Sequence, residues 1–356
     1  MHGSNLIKAL KAKDAQAEVV CWGGDMMEQA GAKLLKHYKE ISFMGFIEVL
    51  MNAKKIKAAL KECKENILAF KPDVIILIDF AGFNLRIAKF AKENNLKVFY
   101  YISPKVWAWN QSRANKIKVL VDRMFVIFPF EKDFYKKYDY EVDYVGNPLN
   151  DAIASFSRNP SFLSTNHLED KPIIAILPGS RKQEVTAMLD IMISVMASFP
   201  QYHFVIAGVS NLPKKYYEDF QKNNWVEVVY DQTYDLLSNS TVAIVTSGTA
   251  TLETALFEVP QVVVYRTSAI SYAIAKALIK VKYISLVNLV AEKEVVRELI
   301  QGDFTPQNLK QELRNILPRA TKREEQLKGY KEIKEALGKP GASEKAAGLM
   351  IDYLKN

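Results

Sequence analysis

The stretch Ile173-Ile174-Ala175-Ile176-Leu177-Pro178-Gly179-Ser180-Arg181 decides the fold class. Five consecutive apolar residues rich in β-branched side chains, closed by Pro-Gly, are too short for a helix and describe a strand buried on both faces. Strands of that kind belong to parallel sheets covered by helices, and residues 183–196 supply the helical pattern that follows. Working outward, the same alternation of short apolar run and helix recurs. It places strands at residues 19–22, 74–78, 98–102 and 124–128 on one side and at 204–207, 242–245 and 262–265 on the other. The expectation is an α/β protein in which a doubly wound, Rossmann-like unit occurs twice.

A chain of 356 residues exceeds what one hydrophobic core serves well. Residues 155–170 are polar and turn-forming, without helical or strand periodicity, and mark the linker. The expected domains are 1–155 and 165–335. A closing piece, 338–356, is set off by Gly338-Lys339-Pro340-Gly341 and carries a helix from Ser343 through Leu354.

Composition narrows the function classes. Hydrophobic residues at 49% and charged residues at 25% place the chain among folded globular proteins rather than disordered ones. A formal charge of +8 favours anionic partners. No basic block interleaved with aromatics appears, so nucleic acid is not an expected partner. Cys21 and Cys63 lack CxxC spacing, and the four histidines show no HxH or HExxH pattern, so neither a disulfide framework nor a metal centre is expected. No run reaches the roughly 20 apolar residues of a spanning helix.

Ligands of open α/β sheets bind beyond the carboxyl ends of the strands. After 173–177, Pro178-Gly179-Ser180-Arg181 is a glycine turn opening a helix, whose unpaired amides and positive dipole end suit a phosphate. Arg181 adds a permanent charge able to grip a diphosphate; a tight turn with a solvated arginine is the alternative. After 242–245, Thr246-Ser247-Gly248-Thr249 repeats the device, and Glu253, one turn inside, can accept from ribose hydroxyls or simply favour the helix dipole. Strand 74–78 delivers Asp79, either a general base or a helix cap. Strand 98–102 runs into Ser103-Pro104-Lys105-Val106-Trp107-Ala108-Trp109, whose tryptophans either stack on a sugar or fill the core. In residues 41–59, Phe43, Met44, Phe46, Val49 and Leu50 precede a lysine cluster, which suits either an anionic membrane surface or a core-facing helix with a wet face; residues 271–282 carry the same ambiguity.

Taken together these residues resemble the lipid-A-disaccharide synthases over nearly the whole chain. The likeness runs in order through Met44-Gly45-Phe46-Ile47-Glu48-Val49-Leu50, Pro72-Asp73-Val74 with Ile78-Asp79 and Phe83-Asn84, and Tyr101-Ile102-Ser103-Pro104 with Val106-Trp107-Ala108-Trp109. It continues through Phe128-Pro129-Phe130-Glu131, Leu177-Pro178-Gly179-Ser180-Arg181 with Glu184-Val185, the Ser247 to Glu253 segment, Tyr265-Arg266, and Tyr283-Ile284-Ser285-Leu286 with Asn288.

The resemblance implies a glycosyltransferase-B (GT-B) fold: two Rossmann-like domains facing across a cleft, the last helix crossing back to the first. It implies UDP-2,3-diacylglucosamine as donor and 2,3-diacylglucosamine 1-phosphate (lipid X) as acceptor, joined by inverting displacement into the β-1,6 disaccharide. Asp79 is then the general base. The UDP site comprises Gly179, Ser180, Arg181, Ser247, Gly248, Thr249, Glu253, Arg266 and Asn288, and Ser103, Trp107 and Trp109 are the acceptor-side candidates. Neither cofactor nor metal is called for. The implied setting is cytoplasmic and peripheral on the inner face of the membrane, and a homodimer is compatible with it. The alternatives are another GT-B enzyme acting on UDP-GlcNAc, such as a peptidoglycan transferase or a 2-epimerase, or a non-catalytic nucleotide-sugar binder.

Two positions depart from the family pattern. Members open with a strand and a Gly-Glu-Ala-Ser-Gly-Asp loop, whereas this chain opens at Met1-His2-Gly3-Ser4, so its first sheet is expected to lack a strand. In Val145-Gly146-Asn147-Pro148 the family more often has histidine at the third position, so no proton transfer is assigned to Asn147.

Overall fold

The computed structural model describes residues 1–40, 53–168, 170–221, 226–278 and 281–355, and within these the chain divides into two compact units. One comprises 1–151 and 339–356, the other 152–338.

The second unit is a six-stranded, wholly parallel sheet. Its strands are β7 (Ile173–Leu177), β8 (His203–Gly208), β9 (Val226–Tyr230), β10 (Ser240–Thr246), β11 (Gln261–Tyr265) and β12 (Glu298–Ile300), in the order β12-β11-β10-β7-β8-β9. The period-2 geometry of a strand explains why β7 is apolar throughout. Ile174 and Ile176 enter a core shared with Val185, Met188 and Leu189 of the helix Lys182–Ser194, while Ile173, Ala175 and Leu177 enter a second core with Phe162, Leu236 and Leu237. Each such isoleucine contributes roughly 1.5–3 kcal/mol by leaving water. Phe162 belongs to the short helix Phe162–Thr165, which lies inside the stretch expected to be an unstructured linker; its fully buried ring ties that stretch to this unit.

The first unit holds β1 (Val20–Gly23), β2 (Lys33–His37), β3 (Val74–Ile78), β4 (Lys97–Tyr101), β5 (Arg123–Val126) and β6 (Asp143–Tyr144), again all parallel. They form two sheets, β1-β2 and β3-β4-β5-β6, with no ladder joining β1 to β3 among the described residues. One face of the larger sheet packs Phe99, Tyr101 and Phe125 against Leu6 and Ala9 of the helix His2–Lys13 and against Ala346, Ala347 and Met350 of the helix Ala342–Lys355. The final helix begins at Ala342, and Asp151 caps it: its Oδ1 accepts the amides of Gly341 (2.6 Å) and Ala342 (3.3 Å), and its Oδ2 that of Ser343 (3.3 Å). The membrane-contact candidates Phe43, Met44, Phe46, Val49 and Leu50 lie outside the described residues. Among the described residues no helix is long and apolar enough to cross a membrane.

Candidate functional site

In the second unit β7 and β10 are neighbours at the centre of the sheet, and the winding runs outward from them in opposite directions. That is the topological switch point, where the loops leaving adjacent strands part and a crevice opens at their carboxyl ends. Leu177 lies opposite Val245, and Thr246 opposite Val264, so the turns after β7, β10 and β11 leave the same edge side by side. Gly179, Ser180, Arg181, Ser247, Gly248, Thr249 and Arg266 are thereby brought together along three adjacent strand ends.

The first turn is held by a residue whose role the sequence did not disclose. Glu184 sits at the third position of the helix Lys182–Ser194, and its Oε2 accepts the amides of Ser180 (3.1 Å) and Arg181 (3.2 Å). Its Oε1 meets the Arg181 guanidinium at 3.1 Å. A carboxylate therefore occupies the donors that the sequence offers to phosphate, which demonstrates that they converge on an anion. The signal was present: a glutamate three residues after the cap is half of a capping box. Gly179 has φ +102°, and a Cβ there would stand 2.3 Å from Glu184 Oε2, so both backbone and contact demand glycine. Arg181 is 65% exposed, so its ion pair with Glu184 is weak and easily exchanged for another anion.

The second turn is open. Nothing lies within 4 Å of where a Gly248 Cβ would be, and Thr249 begins the helix Thr249–Leu256 exposed. Ser247 is anchored, donating from its amide to Val264 O (3.0 Å) and from its hydroxyl to Ile284 O (2.8 Å). Glu253 accepts the Tyr234 hydroxyl at 2.8 Å, and burial raises its carboxyl pKa. Arg266 is exposed at the end of β11.

Asn288 corrects the reading from sequence. It is fully buried, its Oδ1 accepts the amides of Val295 (2.8 Å) and Val296 (2.9 Å), and its Nδ2 donates to Val296 O (2.8 Å) and Glu298 Oε1 (2.9 Å). Two acceptor and two donor positions are all a carboxamide has. Its work is to fasten the helix Leu286–Ala291 to the approach to β12, leaving nothing for a nucleotide.

In the first unit Asp79 stands exposed at the carboxyl end of β3, and its carboxylate has no hydrogen bond or ion pair among the described residues. Both Asp79 (φ +46°) and Phe80 (φ +43°) are left-handed, a conformation that costs a non-glycine residue on the order of 1–3 kcal/mol and concentrates at functional sites. The bend is held from behind: the Tyr100 hydroxyl donates to Asp79 O, and Asn84 Nδ2 donates to Asp79 O (2.7 Å) and Ile78 O (3.1 Å). The side chain does not cap the helix Ala81–Glu93.

The tryptophans part company. Trp107 is 5% exposed, donates to Glu131 Oε1 (3.2 Å) and meets Phe130 edge to face at 5.0 Å, so it is a core residue rather than a sugar platform. Trp109 is 42% exposed, with the Arg113 guanidinium 4.9 Å from its ring. Ser103 is buried, its hydroxyl 2.7 Å from that of Tyr135. Asn147, also buried, bridges Ile127 O (3.3 Å) and the Leu149 amide (3.0 Å), a structural duty. Among the described residues no three His, Cys, Asp or Glu side chains gather as a metal site.

Two units built on parallel sheets, one wound outward from two central strands with paired helix-opening turns at its switch point, define an α/β protein with Rossmann-like units, and the solved structures it resembles have the GT-B fold. Solved structures of that fold match nearly the whole chain: the UDP-GlcNAc 2-epimerase of Methanocaldococcus jannaschii in complex with UDP-GlcNAc and UDP (TM-score 0.65, 12% identity, 98% of this chain and 95% of that one), and the calicheamicin glycosyltransferase (TM-score 0.58, 14% identity, 99% and 94%). The sequence is more specific. The lipid-A-disaccharide synthetase family model matches residues 1–350, and the chain belongs to that family of glycosyltransferases, which serves lipid A disaccharide synthesis. It is similar to the lipid-A-disaccharide synthases of Syntrophus aciditrophicus (37% identity, all of this chain and 95% of the relative) and Myxococcus xanthus (36%, 99% and 94%).

Proposed function

We propose that this protein joins UDP-2,3-diacylglucosamine to the 6-hydroxyl of 2,3-diacylglucosamine 1-phosphate, releasing UDP and forming a β-1,6 disaccharide by a single inverting displacement. The observation that carries the reading is the convergence of Ser180 N, Arg181 N and the Arg181 guanidinium on one anion at the switch point of the second unit. In the reaction the Asp79 carboxylate takes the proton of the acceptor hydroxyl, the oxygen attacks the anomeric carbon, and the bond to the diphosphate breaks. Negative charge accumulates on the departing diphosphate, so donors fixed there stabilise the transition state more than the ground state. Arg181 offers five N–H groups, of which Glu184 engages few. The open turn at Gly248 admits the diphosphate close to the backbone, and Thr249, Glu253 and Arg266 complete the nucleotide contacts. With both substrates carrying acyl chains, the protein works against the inner membrane surface, and Lys54, Lys55 and Lys57, exposed at the start of the helix Ala53–Phe70, suit anionic headgroups.

The test is a direct assay with the two acylated sugars, following the disaccharide by mass spectrometry. Asp79→Ala is expected to abolish transfer while UDP titrates as in the wild type; turnover at the wild-type rate would remove Asp79 as base. A non-catalytic binder would take up UDP and yield no disaccharide, and a 2-epimerase would convert UDP-GlcNAc instead.

A further inference from the structure

The motif Phe128-Pro129-Phe130-Glu131 has no part in the chemistry above, yet it buries a carboxylate. Glu131 is 1% exposed in the first turn of the helix Phe130–Lys136. Its Oε2 accepts the amides of Ile127 (3.1 Å) and Phe128 (2.9 Å), the residues that follow β5. Its Oε1 accepts the Trp107 indole (3.2 Å), from the turn of helix that follows β4. Since β4 and β5 are paired, with Tyr101 opposite Phe125, one carboxylate clips together the carboxyl ends of two adjacent strands.

An uncharged side chain does this less well. The two oxygens accept three N–H donors, from Ile127, Phe128 and Trp107, and glutamine would oppose its own NH2 to at least one of them. A buried acid is nevertheless costly, and desolvation lifts the Glu131 pKa from 4.5 to about 7 against the opposite pull of the Phe128 and Ile127 amides, the Trp107 indole and the Ser103 hydroxyl. The other titratable groups facing it are Tyr135 on its own helix and Tyr144 on β6. Burial pushes both hydroxyls up, Tyr144 to about 12, so both stay neutral where Glu131 titrates.

We propose that Glu131 is a positioning residue for acceptor binding: its carboxylate fixes the segment 103–109 through Trp107 and thereby seats the exposed Trp109 against the acceptor sugar. The inference rests on the reading that this segment meets the acceptor. As pH falls through 7 the clip gains a proton, opposes an O–H to N–H donors, and loosens.

The full chain is assayed as wild type and as Glu131→Gln, with acceptor and donor varied separately from pH 5.5 to 8.5. At pH 8 the acceptor KM of the variant is expected to rise on the order of tenfold, the equivalent of one charge-assisted hydrogen bond, while donor KM and UDP affinity hold within about twofold. The wild type is expected to lose acceptor kcat/KM below pH 7, and the variant to show a flat acceptor KM there. Trp107→Phe, which takes the indole N–H from the clip and keeps an aromatic ring, though a smaller one, against Phe130, should reproduce the split and serves if the glutamine variant does not fold. An active wild type with unchanged acceptor KM and pH profile in both variants overturns the role of Glu131. A wild type that binds UDP but never acts on the acylated acceptor overturns the functional reading itself, and the inference with it.

Discussion

Asn288→Ala separates a structural asparagine from a nucleotide ligand. The substitution deletes four hydrogen bonds at once and leaves the Val295 and Val296 amides and the Val296 carbonyl without that partner in a buried place. Glu298 keeps company, because it also accepts the amides of Ile284 (3.0 Å) and Ser285 (2.9 Å). At about 1 kcal/mol for each bond, the loss is about 4 kcal/mol. Against a total stability of roughly 5–15 kcal/mol, that is a large fraction. For a unit the size of residues 152–338 it corresponds to a Tm lower by about 10 °C. Asn288→Asp keeps the acceptors but sets a second carboxylate where Nδ2 stands 2.9 Å from Glu298, so it should be no better than alanine. The assay is thermal and urea unfolding with and without UDP. The expected result is a large loss of stability in both variants and an undiminished stabilisation by added UDP. An alanine variant that melts within about 1 °C of wild type, far short of the expected shift of about 10 °C, and that no longer responds to UDP would refute the reasoning and return Asn288 to the nucleotide site.

Other expectations can be checked by simpler measurements. Gly179→Ala places a methyl group 2.3 Å from Glu184 Oε2 at φ +102°; a loss on the order of 1–3 kcal/mol in urea unfolding is expected, together with weaker UDP binding. Arg181→Ala removes an exposed guanidinium, so stability should hardly change while UDP titration calorimetry shows a loss of about 1–3 kcal/mol in affinity. The folded pKa of Glu131, about 7, lies above its ordinary value of 4.5, so the native state holds the extra proton between them. Stability should therefore fall as pH rises from about 4.5 to about 7, by about 3 kcal/mol, and level off above, a slope that Glu131→Gln removes when urea midpoints are compared across pH.

The strands that were legible in the sequence and those that were not differ in how long and how continuously apolar they are. β7 has the bounds read from the sequence because it lies between β10 and β8 and is buried throughout, and β3, at the edge of its own sheet, has them because all five of its residues are apolar. The four unread strands, β2, β6, β9 and β12, are all at sheet edges. There one side meets water and the run is short or mixed: Lys33-Leu34-Leu35-Lys36-His37, two residues in β6, Val226-Glu227-Val228-Val229-Tyr230, and three residues in β12. The helix-opening turns after β7 and β10 were legible because a glycine directly after an apolar strand marks the turn locally. Trp107 and Asn288 were misread, since what consumes the indole N–H and the carboxamide is supplied by Glu131, Val295, Val296 and Glu298, partners that only the folded chain delivers.

The docking of the helix Ala342–Lys355 on the helix His2–Lys13 means that the first unit is sewn from segments on either side of residues 152–338. During vectorial synthesis residues 1–151 emerge from the ribosome before 152–338 yet must wait for 339–356, whereas residues 152–338 are contiguous and complete earlier. The usual order, in which the leading domain matures first, is thus reversed, and any nascent chain halted before residue 342 leaves Leu6, Ala9, Phe99 and Phe125 uncovered for chaperones to shield.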